Sequence, residues 1–323
     1  MSDLRKVQQT PTGTFFVCVP KSWAQQNGLK RGSMVNLDVT GDGKLFVDAK
    51  YDSKLPQKIV TLPVGPFLSR EIIGHYLLGF DVICIEAKDR IDFDIRATVK
   101  TTVSSLVGLE IVEETYSQVV LQCLLDPSGS QPEKILRRNY AIVSGMTRDV
   151  TNSFITGDLQ LAKTVIARDV ESNRLYFLLV RILRTIIQAP RLSEKLGITP
   201  IECLDYRLAA SLLESMGDAC VQVATKTINL HGFKPSSELS KLLNDLQTVC
   251  LEANEQAITS FINKDISLAE NVRKTKVIIQ NICSNIEKIV KNYPVDVIPQ
   301  LLSAVSFMRQ IYEHSLDMAD LVV

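Results

Sequence analysis

Residues Cys203–Ile228, CLDYRLAASLLESMGDACVQVATKTI, carry the pattern from which the rest of the chain is read. At 3.6 residues per turn, Leu208, Leu212, Met216, Ala219 and Val223 share one arc, widened by Ala209 and Cys220. Glu214 and Asp218 stack one turn apart on the opposite face. Two carboxylates so placed repel mildly and add nothing to an isolated helix. They are either an ordinary solvated face or a pair bridged by a cation.

The totals bound the remaining readings. A chain of 323 residues can bury a large core, and two or three domains are expected. With 36 basic and 36 acidic residues, no global field draws it to nucleic acid or acidic lipid, so any basic patch must be local. No run approaches the roughly 20 apolar residues that span a bilayer. The N-terminus has no signal-peptide pattern, so a cytoplasmic protein without membrane insertion is expected. Seven cysteines are scattered without a C-x-x-C, which suits reduced core thiols better than a disulfide framework or zinc site. His75, His231 and His314 form no ligand spacing. No nucleophile–base pair, redox motif or nucleotide-cradling loop is visible, so an enzyme is not expected.

Residues 1–50 read as short strands and turns. A Pro11-Thr12-Gly13 turn precedes a β-rich run, Thr14–Val19. Pro20 opens a helix over Lys21–Asn27, which Gly28 stops. A strand at Val35–Val39, an Asp42-Gly43 hairpin signal and a return strand at Leu45–Val47 follow. A piece this small cannot close a core alone, which predicts a homodimer. Between residues 1 and 53 there are seven bases and five acids, a small excess for a DNA binder. The segment RKVQQTPTGTFFVCVPKSWAQQNGLKRGSMVNLDVTGDGKLFV resembles SpoVT/AbrB-type swapped-hairpin domains through its V-x-x-P-K-x-W helix start, Gly-Leu-Lys-Arg-Gly turn and D-G-K-L hairpin. That resemblance implies an obligate dimer and DNA contacts near the N-terminus and turns, with Arg5, Lys6, Lys21, Lys30 and Arg31 as candidates. The other reading is that these are surface charges on a domain that only dimerises.

After a polar linker at Tyr51–Pro56, residues 55–126 alternate as β-α-β-α-β-β. Strands are expected at Lys58–Leu62, Phe80–Glu86, Leu109–Glu114 and Val119–Leu124, with helices at Pro66–Leu78 and Ile91–Leu106. This predicts a small α/β layer with no visible chemistry. Asp126-Pro127-Ser128-Gly129-Ser130 is the clearest boundary. Beyond it, helices are expected at roughly 131–156, 158–189, 202–230, 236–263, 265–292 and 295–322, forming two three-helix bundles over 131–230 and 236–323. Asp169 aligns with Asp265 at an offset of 96, and Asp218 with Glu313 at an offset of 95, as a weak internal repeat.

The Glu214-x-x-x-Asp218 spelling, preceded by Asp205-x-Arg207, together with VIARDVESNRLYFLLVRIL, resembles the PhoU family of phosphate-uptake regulators and its archaeal members in particular. The resemblance implies an all-α pair of three-helix bundles whose surface acids hold metal ions, and a multi-domain chain completed by the swapped-hairpin and α/β segments. The family's D-x-x-x-D reads Asp169-x-x-x-Asn173 here, one carboxylate having become an amide. Arg309 stands where the second E-x-x-x-D would begin, although Glu313 and Asp317 remain on that face. The metal candidates are therefore Asp169, Asn173, Glu214 and Asp218 in the first bundle and Glu313 and Asp317 in the second. Such oxygen-rich clusters suit hard cations such as magnesium or ferric iron. The function expected is a regulator of phosphate uptake with DNA as a partner. The alternative is an adaptor that controls a phosphate transporter or its sensor without touching DNA.

Overall fold

The structure, a computed structural model, describes residues 4–39, 43–49 and 57–322. It divides into a small unit, Met1–Gln57, and a large one, Lys58–Val323.

The small unit contains two hairpins and a helix. β1 (Gln8–Gln9) pairs antiparallel with β2 (Phe15–Phe16) across a turn whose Gly13 takes φ 93°. The strand expected over Thr14–Val19 is thus only two residues long. α1 (Lys21–Gln26) ends before Gly28, which takes φ 63°. β3 (Asn36–Val39) pairs antiparallel with β4 (Leu45–Asp48). Asp42 of the expected hairpin signal and the Tyr51–Pro56 linker lie outside the described residues. Among the described residues of this unit none is buried. Phe15, Met34, Leu37, Val39 and Leu45 are each more than half exposed.

The large unit begins with β5 (Ile59–Pro63), α2 (Leu68–Leu77), β6 (Val82–Glu86), α3 (Phe93–Ser104), β7 (Leu109–Glu114) and β8 (Gln118–Cys123). The sheet order is β5-β6-β8-β7, with β5 and β6 parallel and the other pairs antiparallel. Its buried face, Leu62, Ile83, Ile85, Val119 and Leu121, forms one core with Ile72 and Tyr76 of α2 and Val99 and Val103 of α3.

After a single 3₁₀ turn at Pro127–Gly129 come α4 (Pro132–Thr156), α5 (Leu159–Gln188), α6 (Pro190–Leu196), α7 (Pro200–Asn229), α8 (Ser237–Asn263), α9 (Ile266–Lys274), α10 (Lys276–Val290) and α11 (Ile298–Ala319). Local chemistry sets most of these ends. Asp158, Ser236 and Asp265 each accept hydrogen bonds from first-turn N–H groups, and Thr199 with Glu202 forms a reciprocal capping box. Gly157 stops α4 at φ 70°, and a Cβ there would come within 2.9 Å of the Gly232 carbonyl oxygen, so both conformation and space demand glycine. A single hydrophobic core runs through both bundles.

Three expectations are corrected. The stretch between Pro190 and Pro200 is not only a break, since Pro190 starts the short helix α6. Leu208 is half exposed, and the buried arc of α7 is Ala209, Leu213, Met216, Cys220 and Val223, rotated from the expected one because α7 is packed by α4, α5 and α11 on several sides. The repeat register also changes in its first part. Residues 153–162, SFITGDLQLA, match 260–269, SFINKDISLA, at an offset of 107 (260 − 153), so Asp265 corresponds to the helix cap Asp158 rather than to Asp169. The offset of 95 holds for the last helices, where buried Ala209, Leu213, Met216 and Cys220 align with Ala304, Met308, Ile311 and Ser315. The two registers differ because the second bundle lacks a counterpart of the α6 connection.

The α/β layer is fastened to the bundle by Arg181 of α5, a buried residue. Its Nη1 donates to the carbonyl oxygens of Tyr76 (2.6 Å), in the last turn of α2, and Phe80 (3.0 Å), just beyond it, and its guanidinium lies 4.9 Å from the Tyr76 ring centroid. Asp81, 3.8 Å away, supplies a countercharge. Lys58 Nζ also reaches the Gln188 side chain at the end of α5. Arg181→Ala strands two carbonyls and removes a charge-assisted latch. It is expected to cost about 2–4 kcal/mol in urea denaturation. A loss below about 0.5 kcal/mol, the range of an ordinary surface substitution, would mean that apolar contacts alone hold the layer.

Candidate functional site

α5 and α7 run side by side in the first bundle and bring Asp169, Asn173, Glu214 and Asp218 to one place. Gly217 makes this possible. A Cβ at that position would lie 3.2 Å from Asp169 Oδ1 and in ordinary contact, 3.6 Å, with Ser172 Oγ, so a side chain there would press on the Asp169 carboxylate and shift it by a few tenths of an ångström. Asn173 Nδ2 donates to Asp169 Oδ2 at 2.8 Å. Asp169 Oδ1, on the other side of the same carboxylate, is buried and has no hydrogen-bond partner.

The electrostatics follow from this proximity. Burial, and then the charge of Asp218, raise the Asp169 pKa against the lowering effect of the Asn173 hydrogen bond. Burial also raises Glu214, with Asp218 and Asp169 adding to the shift and Arg207 opposing it. Arg207 itself lies over the Tyr176 ring, 4.8 Å from its centroid. The three acids therefore feel one another, and the orphaned Oδ1 of Asp169 is the kind of atom a hard cation would satisfy. Among the described residues no three Asp, Glu, His or Cys side chains converge closely enough to hold a metal ion. The antiparallel helices bring Asp169 level with Gly217.

The second bundle brings nothing comparable together. Glu313 is ion-paired to Arg309 at 3.1 Å, and Asp317 lies 3.8 Å from His314 Nδ1. The 107-residue offset places Lys276 where the first bundle has Asp169, and the 95-residue offset places Tyr312 where it has Gly217. The Tyr312 hydroxyl donates to the Val272 carbonyl oxygen, which Thr275 Oγ1 also reaches, at the point where α9 gives way to α10. Neither Gly217 nor Tyr312 stands out in the sequence by itself; their only mark is that they align with each other at an offset of 95, beside the acids of the two bundles.

In the small unit, Arg5, Lys6, Lys21, Lys30 and Arg31 are all exposed. Arg5 and Lys6 precede β1, Lys21 is the first residue of α1, and Lys30 and Arg31 occupy the turn after it.

Comparison with known proteins agrees with this division. Residues 136–227 match the PhoU domain family. Residues 8–55 match the family described as "Antidote-toxin recognition MazE, bacterial antitoxin". Among solved structures, PhoU from Pseudomonas aeruginosa superposes with a TM-score of 0.52 at 18% identity, covering 59% of this chain and 93% of its own. The phosphate transport system regulatory protein PhoU from Streptococcus pneumoniae gives a TM-score of 0.51 at 15% identity, covering 59% and 91%. The helical half thus has the PhoU fold. No curated protein sequence matches the chain. Among the described residues no helix is long and apolar enough to cross a membrane.

The raised acids give a pH signature. A carboxyl group whose folded pKa lies above its unfolded value contributes stability that is present below the unfolded pKa and lost as pH rises through the folded one. Stability should therefore fall as pH climbs from the ordinary carboxylate range through the raised values of Asp169 and Glu214. Asp169→Asn should flatten that fall and raise the melting temperature at pH 7 by about 2 °C. Thermal melts between pH 4 and 7 decide it, since a variant that melts lower at pH 7 would mean the carboxylate is held by favourable contacts.

Proposed function

We propose that the chain is a cytoplasmic, dimeric regulator of phosphate uptake that touches DNA through its N-terminal unit and binds a cation or a protein partner through its helical half. The observation that carries the reading is the joining of a PhoU-fold half to a hairpin unit with no buried residue among those described. A polypeptide that leaves this much apolar surface in water is completed by a second copy. The match to an antitoxin-type family supports such a dimer and gives the exposed bases near β1 and α1 a phosphate backbone to meet. The adaptor reading, in which the unit only dimerises and the helical half acts on a transporter or its sensor, is favoured by the balanced charge of the chain.

Light scattering should find the full chain dimeric, and removal of residues 1–57 should lower its oligomeric state at micromolar concentration. In fluorescence anisotropy with duplex DNA, replacing two of Arg5, Lys6, Lys21, Lys30 and Arg31 with Ala should weaken binding. It should also flatten the salt dependence by about one unit for each phosphate that is no longer neutralised. A wild-type chain that ignores duplex DNA at low salt would select the adaptor.

Cation binding is proposed for the first bundle only. Asp169, Glu214 and Asp218 supply charge and Asn173 a neutral oxygen, and side-chain rotation of exposed Asp218 would close the ring. Magnesium, manganese or ferric ions should raise the melting temperature with concentration. Glu214→Gln with Asp218→Asn keeps the shape, and that double variant should lose the shift while retaining helicity. A wild type indifferent to all these ions would leave the acids as a repelling surface cluster.

A further inference from the structure

The four-stranded sheet is covered on one side only. α2 and α3 lie against the side that presents Leu62, Ile83, Ile85, Val119 and Leu121. On the other side the strand registers set out two full rows, Ile59–Val82–Gln122–Glu110 and Thr61–Cys84–Val120–Glu113. The bulge between Ile111 and Glu113 matters here, because it keeps Glu113 on the same side as Glu110. The middle of this open face is apolar, made by Val82, Cys84 and Val120, and no described element of the large unit lies across it. Ile59 at its edge is 58% exposed. A strand whose outward residues are valine and cysteine departs from the polar-out alternation of a sheet that faces water.

The acids on this face are not spread evenly. Glu110 and Glu113 stand on β7, Glu86 ends β6, and the opposite edge strand, β5, shows only Ile59, Thr61 and Pro63. Among the described residues none of these three glutamates forms an ion pair with Lys or Arg. Their field is nevertheless felt across the sheet, since after burial Glu86 and then Glu113 raise the Cys84 pKa.

We propose that the open face packs against the same face of a second copy of the chain, about a two-fold axis that lies between the sheets and parallel to the strands. This inference rests on the dimer proposed above. β5 starts at residue 59, with only ten residues between it and the end of β4, so a dimer of the small unit holds two open faces at high effective concentration. Charge selects the axis. Rotation about a line parallel to the strands lays the β7 edge of one copy over the neutral β5 edge of the other and sets Glu86 over Gln118. Rotation about a line across the strands would instead stack β7 on β7 and bring Glu110 and Glu113 against their own copies, which costs free energy by like-charge repulsion. In the favoured arrangement Cys84 faces Val120 of the other copy across the roughly 10 Å that separates packed sheets.

The full chain provides the test. Cys18 is exposed, Cys84 is half-buried on the open face and the other five cysteines are buried, so Cys18→Ser leaves Cys84 as the accessible thiol. A short bis-maleimide should then join two chains, and Cys84→Ser should abolish the product. Val120→Lys puts a charge into the contact on a surface that carries no other packing. It should raise the dimer dissociation constant at least tenfold and speed the reaction of Cys84 with a monofunctional maleimide, with the thermal unfolding of the bundle unchanged. A chain that is dimeric but whose Cys84 does not cross-link, and reacts no faster in Val120→Lys, overturns the sheet contact alone. A monomeric full chain overturns both the sheet contact and the dimer on which it rests.

Discussion

The approach of α5 to α7 at Gly217 sets the acids of the helical half beside one another. Without a side chain there, the two helices come close enough for Asp169 to be half withdrawn from water beside Asp218. Close packing of two helices is ordinarily favourable, and here it is set against the repulsion and desolvation of carboxylates. The cost falls on one surface, while the same helix supplies Leu175, Leu179, Ile182 and Leu183 to the core. α5 also carries Arg181, twelve residues beyond Asp169, so the helix that presents the acids is the one that holds the α/β layer.

The second bundle shows what the same frame does without that approach. Its core positions follow those of the first with a constant offset along the last helix, yet Tyr312 replaces Gly217 and Lys276 replaces Asp169. A tyrosine cannot fit between closely packed helices, so its ring is buried and its hydroxyl bonds the Val272 carbonyl where the facing helix breaks. Of the remaining acids, Glu313 is paired with Arg309 and Asp317 lies near His314. One repeat has kept a charged cleft and the other has filled it.

Most of the architecture was legible because it depends on short-range patterns. The α/β order, the helical bundles and the roles of Pro20 and Gly28 around α1 can be read from periodicity and capping alone. What was not legible depends on neighbours. The burial of Leu213 rather than Leu208 is decided by three other helices, and no single-helix arc can report it. The equivalence of Asp265 with Asp158 lies open in the sequence as the match of SFITGDLQLA with SFINKDISLA, and the shared cap geometry of the two residues agrees with it. Of the candidate site, the pairing of Glu214 with Asp218 was visible from a spacing of four. The closeness of Asp169 followed only from the family resemblance, because no spacing within one helix reports which residue of another helix lies beside Gly217.

The two parts of the chain differ in how they satisfy their apolar surface. From residue 132 onward the helices bury a continuous core against one another, although Ile201, Leu204 and Leu208 of α7 stay more than half exposed. The residues before that point do not reach the same state. The hairpin unit buries no described residue, and the sheet leaves Val82, Cys84 and Val120 on a face that no described element of the large unit covers. Apolar area left in water is a standing drive to association, proportional to the area removed when a second surface arrives. The demand for a second chain is therefore concentrated in residues 4–126. The helical half, which buries most of its own core, keeps its acidic surface available for whatever it binds.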